Sequence, residues 1–193
     1  LLAASAVPNC RAYDPAFASE LAVIVDHGLR RLLEHDDDAF YYVTVMNEAY
    51  AQPALPDGVR DDVIRGLYRV APSRGAAQVR LLGSGAILPE VLAAAALLRD
   101  DWGVDAEAWS ATSYSELARD ARDAQREARL RPGAAVRASH LERCLAGDAP
   151  VVAASDYVVA WPQLIAPYLR APFTALGTDG FGRSDTRAAL RRF

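Results

Sequence analysis

The sequence predicts an α/β fold in which helices flank a largely parallel sheet. From residue 57 onward, short apolar runs alternate with longer segments of helical pattern. Between residues 77 and 131, a strand, a turn and a helix follow one another twice, as in parallel strands that are joined by helices. Of the 193 residues, 52% are hydrophobic and 24% are charged, so the chain carries enough apolar material for a core.

The first predicted element is a helix from Pro15 to Glu34. Its apolar residues recur at helical spacing: Phe17, Leu21, Ile24, Val25, Leu29, Leu32 and Leu33. Asp14 before Pro15 is the pair expected at an N-cap and a first turn. The acidic run 35–38 is interpreted as a solvated turn that ends the helix, because charge runs of this kind usually face water.

A strand and a linker follow the helix. The segment Phe40–Met46 is β-branched and aromatic, and it is apolar on both faces, so we expect a strand that is buried on both sides. The segment Asn47–Pro56 contains two prolines and no periodicity, which indicates a linker between two domains.

The remainder of the chain alternates between strands and helices. Strands are predicted at Ala77–Gly83, Val104–Ala111, Pro150–Asp156 and Phe173–Gly177. Helices are predicted at Asp57–Leu67, Ile87–Asp101, from Thr112–Glu116 to Arg131, and around Trp161–Leu169, where prolines interrupt the pattern. Ser113 or Ser115 can cap the third of these helices. The segment Arg119–Arg131 is charged nearly all round and is interpreted as a solvated helix surface rather than a basic binding patch.

Composition excludes several classes of function. The formal net charge is -4 with both signs interspersed, so we expect neither nucleic acid nor a membrane as a partner. The sequence contains no lysine, which excludes Schiff-base chemistry and a lysine-bearing phosphate loop. The longest apolar run, Val91–Leu98, is far shorter than the ~20 residues of a membrane-spanning helix. Cys10 and Cys144 are expected to be unpaired, reduced thiols, which favours a cytoplasmic location.

The motifs that bind ligands in other proteins are incomplete in this sequence. The turn 83–85 (Gly-Ser-Gly) lies between a strand and a helix, but Leu88 stands where a dinucleotide pattern has its third glycine, so a structural turn is favoured. His27, His35 and His140 are isolated from potential co-ligands, so we predict no metal site. No serine lies in a G-x-S-x-G elbow, which gives a serine hydrolase no support.

The segment 178–185 is a distinctive loop in which two glycines flank Phe181. Two hypotheses remain open for it: a structural loop with a buried aromatic residue, or a contact with a partner subunit or a ligand. The candidate contact residues are Phe181, Arg183, Ser184 and Asp185.

Five segments together resemble the homodimeric, single-chain pyruvate dehydrogenase E1 component of bacteria over nearly the whole chain. They are Pro8–Cys10 with Tyr13–Ala16, Tyr41–Tyr50 with Pro53 and Pro56, Leu81–Gly85, Thr112–Asp120, and Gly177–Asp185. The second, fourth and fifth segments are specific in this order, whereas turns like the other two occur in many transketolase-like proteins.

The resemblance implies a domain organisation and an activity. Residues 1–46 would end a pyrimidine-binding domain, 47–56 would form the linker, and 57–193 would form a truncated transketolase C-terminal-like domain. The whole enzyme would decarboxylate pyruvate with thiamin diphosphate and Mg²⁺, in acetyl-CoA formation after glycolysis. The family's cofactor and catalytic residues lie upstream of Leu1. We therefore predict no catalytic, cofactor-binding or metal-binding residue in this chain, which alone would bind no cofactor.

The resemblance also implies partners. These are a second E1 subunit, or the remainder of the E1 polypeptide, and a lipoyl-bearing E2, with the 178–185 loop at the subunit interface. Two alternatives remain: a transketolase-like ketol-transfer enzyme or split subunit, and a non-catalytic C-domain that acts as an assembly module.

Overall fold

The N-terminal residues form one long helix and a two-stranded sheet. The computed structural model describes residues 1–133, 135–180, 182 and 184–192. A 3-10 turn precedes strand β1 (Cys10–Tyr13), and helix α1 (Ala18–Glu34) leads to strand β2 (Phe40–Val43), which lies parallel to β1. Residues 44–59 contain no helix or strand, so they form an irregular connection to the second unit.

A five-stranded sheet forms the second unit. Its strands are β3 (Tyr68–Ala71), β4 (Val79–Gly83), β5 (Ala106–Ser110), β6 (Val151–Val158) and β7 (Phe173–Thr178), in the spatial order β3-β5-β4-β6-β7. Neighbouring strands are parallel except β3 and β5, which are antiparallel. The predicted α/β class with a largely parallel sheet is confirmed.

The helices of this unit are α2 (Arg60–Arg65), α3 (Leu88–Trp102), α4 (Tyr114–Leu130), α5 (His140–Cys144) and α6 (Arg187–Leu190), with a 3-10 helix at Pro162–Tyr168. Helices α2, α3 and α4 and the 3-10 helix lie close to predicted positions, whereas α5 and α6 were not predicted. The predicted cap of α4 is present, because the Ser113 hydroxyl accepts a hydrogen bond from the Glu116 N–H at 3.1 Å. None of the described helices is both long enough and apolar enough to cross a membrane.

The largest core lies between the five-stranded sheet, α4 and the 3-10 helix. Trp161 and Tyr114 are fully buried there, and their rings meet edge to face at 5.8 Å between centroids. Leu82 of β4 and Leu117 of α4 are also fully buried in this cluster. The apolar face of α4 therefore packs inward, although its sequence is charged on most sides.

The prediction that 40–46 is a strand buried on both faces is wrong. The strand ends at Val43, and its residues alternate between exposed and half-buried. Phe40 and Tyr42 are each 49% exposed, whereas Tyr41 and Val43 pack on the cluster around Tyr13. Parallel strands are usually covered on both faces, but only one face of β2 packs against the described residues, and the apolar sequence did not reveal this.

We expect Val43→Asp to destabilise the chain more than Tyr42→Asp. The first change places a carboxylate against a buried apolar cluster and should cost about 2 kcal/mol. The second places it on the exposed face, where about 0.5 kcal/mol is expected. Urea denaturation followed by circular dichroism measures both losses, and equal losses would show that the two faces are covered alike.

The start of α1 also differs from the prediction. Asp14 is not the N-cap, because the helix begins at Ala18 with Phe17 in the capping position. The missing side-chain acceptor is supplied by Glu20, whose carboxylate binds the N–H groups of Ala16 and Phe17. Strand β3 and helix α5 were not predicted, since each is only four or five residues long.

Candidate functional site

Polar side chains from both units meet where their strands end. Asp14 directly follows β1, and its carboxylate accepts a hydrogen bond from the Thr44 hydroxyl at 2.6 Å. Ser84 follows β4 and Ser155 lies within β6, with their hydroxyl oxygens 3.5 Å apart. We call Asp14, Thr44, Ser84 and Ser155 the joint cluster. Functional groups commonly collect at such strand ends in open α/β sheets.

The Asp14 carboxylate packs directly against the turn formed by Gly83, Ser84 and Gly85. Gly85 has a φ of +48°, and a Cβ atom there would lie 2.5 Å from Asp14 Oδ1. The backbone is joined as well, because the Gly85 N–H donates to the Asp14 carbonyl at 3.1 Å. A turn of this kind can admit a phosphate at a helix N-terminus. Here the protein's own carboxylate occupies that position, which agrees with the predicted structural turn.

Burial dominates the electrostatics of Asp14. The residue is only 4% exposed, and its Oδ2 atom has no hydrogen-bond partner among the described residues. Desolvation raises the pKa of this carboxyl to about 6, although hydroxyl groups of Thr44 and Ser84 partly offset the rise. The negative charges of Asp156 and Glu20 raise the pKa of Asp14 further. Within the joint cluster, Asp14 therefore titrates closer to neutral pH than an exposed aspartate does.

We expect the stability of the chain to fall as the pH rises from about 4 to about 6, and to stay level above that range. The folded chain keeps a proton on Asp14 between about pH 4 and pH 6, where the unfolded chain has released it. Ionisation above that range should cost about 3 kcal/mol. Asp14→Asn removes this cost, and its amide oxygen can still accept from Thr44.

The measurement is urea denaturation of both proteins at pH 4, 6 and 8. We expect the stability gain of Asp14→Asn to be smallest at pH 4, close to the unfolded pKa of 3.8, and to reach its full size at pH 8, above the folded pKa. Asp101→Asn, at an exposed position in α3, is the matched control and should show no such trend. A gain that does not change with pH would contradict the assignment of the titration to Asp14.

A second buried carboxylate, Glu20, connects the two units. It is fully buried, and its Oε2 accepts the N–H groups of Ala16 at 2.5 Å and Phe17 at 3.0 Å. Its Oε1 accepts the hydroxyl groups of Tyr68 at 2.7 Å and Ser110 at 2.6 Å. Burial and the Glu20 charge raise the pKa of Tyr68, so this phenol remains a donor. Glu20 thus fixes the start of α1 to β3 and β5.

The segment 112–116 also connects the two units through side-chain contacts. The Ser113 hydroxyl donates to the Ala12 carbonyl of β1 at 2.6 Å, and the Thr112 hydroxyl donates to the Val63 carbonyl of α2 at 2.6 Å. Glu116 forms an ion pair with Arg11 at 2.9 Å. The two serines that the sequence offers as caps, Ser113 and Ser115, therefore also hold β1 in place.

The three histidines have different environments. His27 is half-buried and His35 is exposed, whereas His140 is buried and its Nε2 lies 2.8 Å from the Leu67 carbonyl. The description of His140 as isolated was wrong, because Cys144 Sγ lies 3.4 Å from Nε2. The i,i+4 spacing of these two residues on a helix was the available signal. Both cysteines are free, as predicted, and burial raises the pKa of Cys144 to about 11.

The candidate interface loop is only partly described. Phe181 and Arg183 lie outside the described residues, whereas Ser184 and Asp185 are exposed. The Asp185 carboxylate accepts the N–H of Thr186 at 2.7 Å. Arg187 then anchors the chain, since its guanidinium binds Glu48 of the connection and Glu90 of α3, each at 2.8 Å. The residue that follows the loop is therefore held in place by hydrogen bonds to both the connection and α3.

Comparisons with known proteins match two parts of the chain to two different families. The family described as the transketolase-like TK C-terminal domain matches residues 66–193, and the pyruvate dehydrogenase E1 component middle domain matches residues 1–53. The pyruvate dehydrogenase E1 component of Cupriavidus necator is 46% identical over 98% of this chain. That of Pseudomonas aeruginosa is 47% identical over 100% of it. The chain spans 22% of the length of each of these relatives.

Solved transketolases share the fold. The enzyme from Leishmania mexicana superposes with a TM-score of 0.61 at 17% identity, covering 99% of this chain and 24% of its own. The enzyme from Campylobacter jejuni superposes with a TM-score of 0.57 at 20% identity, covering 99% of this chain and 25% of its own. At these identities the likeness concerns the fold alone.

Proposed function

Because this chain belongs to the family of transketolase-like TK C-terminal domains, we propose that it is the C-terminal part of a thiamin-diphosphate-dependent pyruvate dehydrogenase E1-type enzyme. The observation that carries the proposal is the 46% and 47% identity to bacterial pyruvate dehydrogenase E1 components along the chain. The whole enzyme would decarboxylate pyruvate and pass the two-carbon unit to a lipoyl group on E2.

The described residues do not fit the diphosphate or the Mg²⁺ of this enzyme class. No three of their His, Cys, Asp or Glu side chains are grouped so that they could hold a metal ion together. In the turn 83–85, the Asp14 carboxylate stands where a phosphate would enter, and an ionised carboxylate repels a phosphate. We therefore assign cofactor binding and catalysis to the remainder of the enzyme.

The proposed role of this chain is to hold two domains in a fixed relation. We assign residues 1–46 to the pyrimidine-binding domain, 47–56 to the linker, and 57–193 to the transketolase C-terminal-like domain. The lack of helix and strand at 44–59 supports this division. Asp14 and Glu20 in the first unit contact the second unit through buried polar groups, which restrict alternative packings of the two sheets.

We extend the proposal to the partners of the whole enzyme. They are a second subunit that forms a homodimer and a lipoyl-bearing E2, in the cytoplasm. The loop with Phe181, Arg183, Ser184 and Asp185 would contact the second subunit. Support comes from the exposure of Ser184 and from the anchoring of the loop's end by Arg187.

The test is an assay of the full-length protein with thiamin diphosphate and Mg²⁺. We expect ferricyanide reduction that depends on pyruvate, and a dimer in analytical ultracentrifugation. Ketol transfer from xylulose 5-phosphate to ribose 5-phosphate, without turnover of pyruvate, would replace the proposal by a transketolase-type activity. Turnover of neither substrate would leave an assembly module as the function of the chain.

A further inference from the structure

A cleft rich in arginine lies at the amino end of β1, between the two units. Its volume is about 640 Å³, and it is lined by five arginines: Arg11, Arg65, Arg119, Arg137 and Arg143. Arg11 belongs to β1, whereas the other four belong to α2, to α4, to the segment before α5, and to α5. A ligand in this cleft would therefore touch both units at once.

Carboxylates neutralise only part of this positive charge. Glu116 is shared by Arg11 at 2.9 Å and Arg119 at 3.4 Å, and Asp120 pairs with Arg137 at 2.6 Å. Including Asp123, three carboxylates line the cleft against five guanidinium groups. The lining thus carries a surplus of positive charge, although the net charge of the whole chain is -4.

Two of the arginines are available to a ligand. Arg65 is exposed and forms no ion pair or hydrogen bond with any residue that the structure describes. Arg143 is exposed as well, and its guanidinium donates to the Ala138 carbonyl at 2.5 Å rather than to a carboxylate. Guanidinium groups bind phosphate oxygens in pairs, because their N–H donors match the geometry of these oxygens.

We propose that this cleft binds a small phosphate-bearing anion with at least two negative charges. The cleft volume falls in the range of small-molecule sites, about 300–1,000 Å³. Among the described residues that line the cleft, Ile64 has the apolar side chain and none carries an aromatic ring. Recognition would therefore depend on the phosphate groups rather than on stacking with a base. The net negative charge of the chain argues against a polyanion such as nucleic acid.

The experiment is calorimetric titration with inorganic pyrophosphate at low ionic strength. It uses the full-length protein already loaded with thiamin diphosphate and Mg²⁺, so that the diphosphate site of the cofactor is occupied. We expect the double variant Arg65→Gln/Arg143→Gln to raise the dissociation constant at least tenfold. The matched control, Arg122→Gln/Arg129→Gln, removes two exposed arginines of α4 that do not line the cleft, and it should change the constant less than twofold.

Circular dichroism and the thermal midpoint without ligand establish that both double variants are folded, as expected for exposed positions. If the glutamine variant does not fold, Arg65→Lys/Arg143→Lys keeps the charge but loses the paired donors, and it should still weaken binding. Unchanged affinity in the cleft variant, equal weakening in both double variants, or no binding at all would overturn the proposal. None of these outcomes depends on whether the enzyme turns over pyruvate.

Discussion

Glu20→Ala is expected to lower the free energy of unfolding by about 4 kcal/mol or more. The substitution leaves four donors without an acceptor in a fully buried position: the N–H groups of Ala16 and Phe17 and the hydroxyls of Tyr68 and Ser110. Each unsatisfied buried donor costs about 1–3 kcal/mol, and water reaches this site poorly. A loss of this size is a large fraction of the stability of a typical domain.

The measurement is urea denaturation followed by circular dichroism. Glu34→Ala, at the exposed end of the same helix, is the control and should change stability by about 0.5 kcal/mol or less. Glu20→Gln should have an intermediate effect, because the amide keeps one acceptor oxygen but presents an NH₂ group to donors. Equal losses for the two alanine variants would show that Glu20 does not hold the units together.

Gly66→Ala is expected to destabilise the chain by about 3 kcal/mol or more. Gly66 ends α2 with a φ of +102°, a conformation that side chains rarely adopt. An added Cβ would also lie 2.4 Å from the Ser113 carbonyl oxygen, which is a backbone atom and cannot move aside. The Ser113 N–H also donates a hydrogen bond to the Gly66 carbonyl at 3.2 Å, so the two backbone segments are in direct contact.

Gly103→Ala separates the two causes of this loss. Gly103 ends α3 with a φ of +64°, and a Cβ there would meet no atom within 4 Å. The control therefore contains the conformational cost alone, which is about 1 kcal/mol. Thermal or urea denaturation of both variants gives the difference. Equal losses would mean that the Ser113 carbonyl yields, and that the α2 terminus is not tightly packed against the start of α4.

The parallel strands were predictable because each has a local signature. The segments at β4, β5, β6 and β7 are short apolar runs followed by turns, and all four were placed within a few residues of their observed bounds. Strand β3 was missed for a physical reason. Its four residues, Tyr68–Ala71, owe their extended form to antiparallel pairing with β5, a partner that lies far along the sequence.

The candidate site was less predictable than the fold. Asp14 beside Pro15 looks like a helix cap, and only the folding of β1 against the turn 83–85 turns it into a buried carboxyl with a raised pKa. Glu20 gave no signal at all, since a glutamate near a helix start is ordinary in sequence. The arginine cleft was equally hidden, because its residues come from four separate parts of the chain.

The sequence by itself determined the α/β class, the turn at 83–85, a serine cap at Ser113 or Ser115, and the resemblance to a family, because each depends on residues close together in the chain. Only the tertiary structure decided which carboxylates are buried, which face of β2 is covered, and where the arginines converge. Burial and ion pairing are set by groups that meet after the chain has folded, and desolvation then fixes their energies.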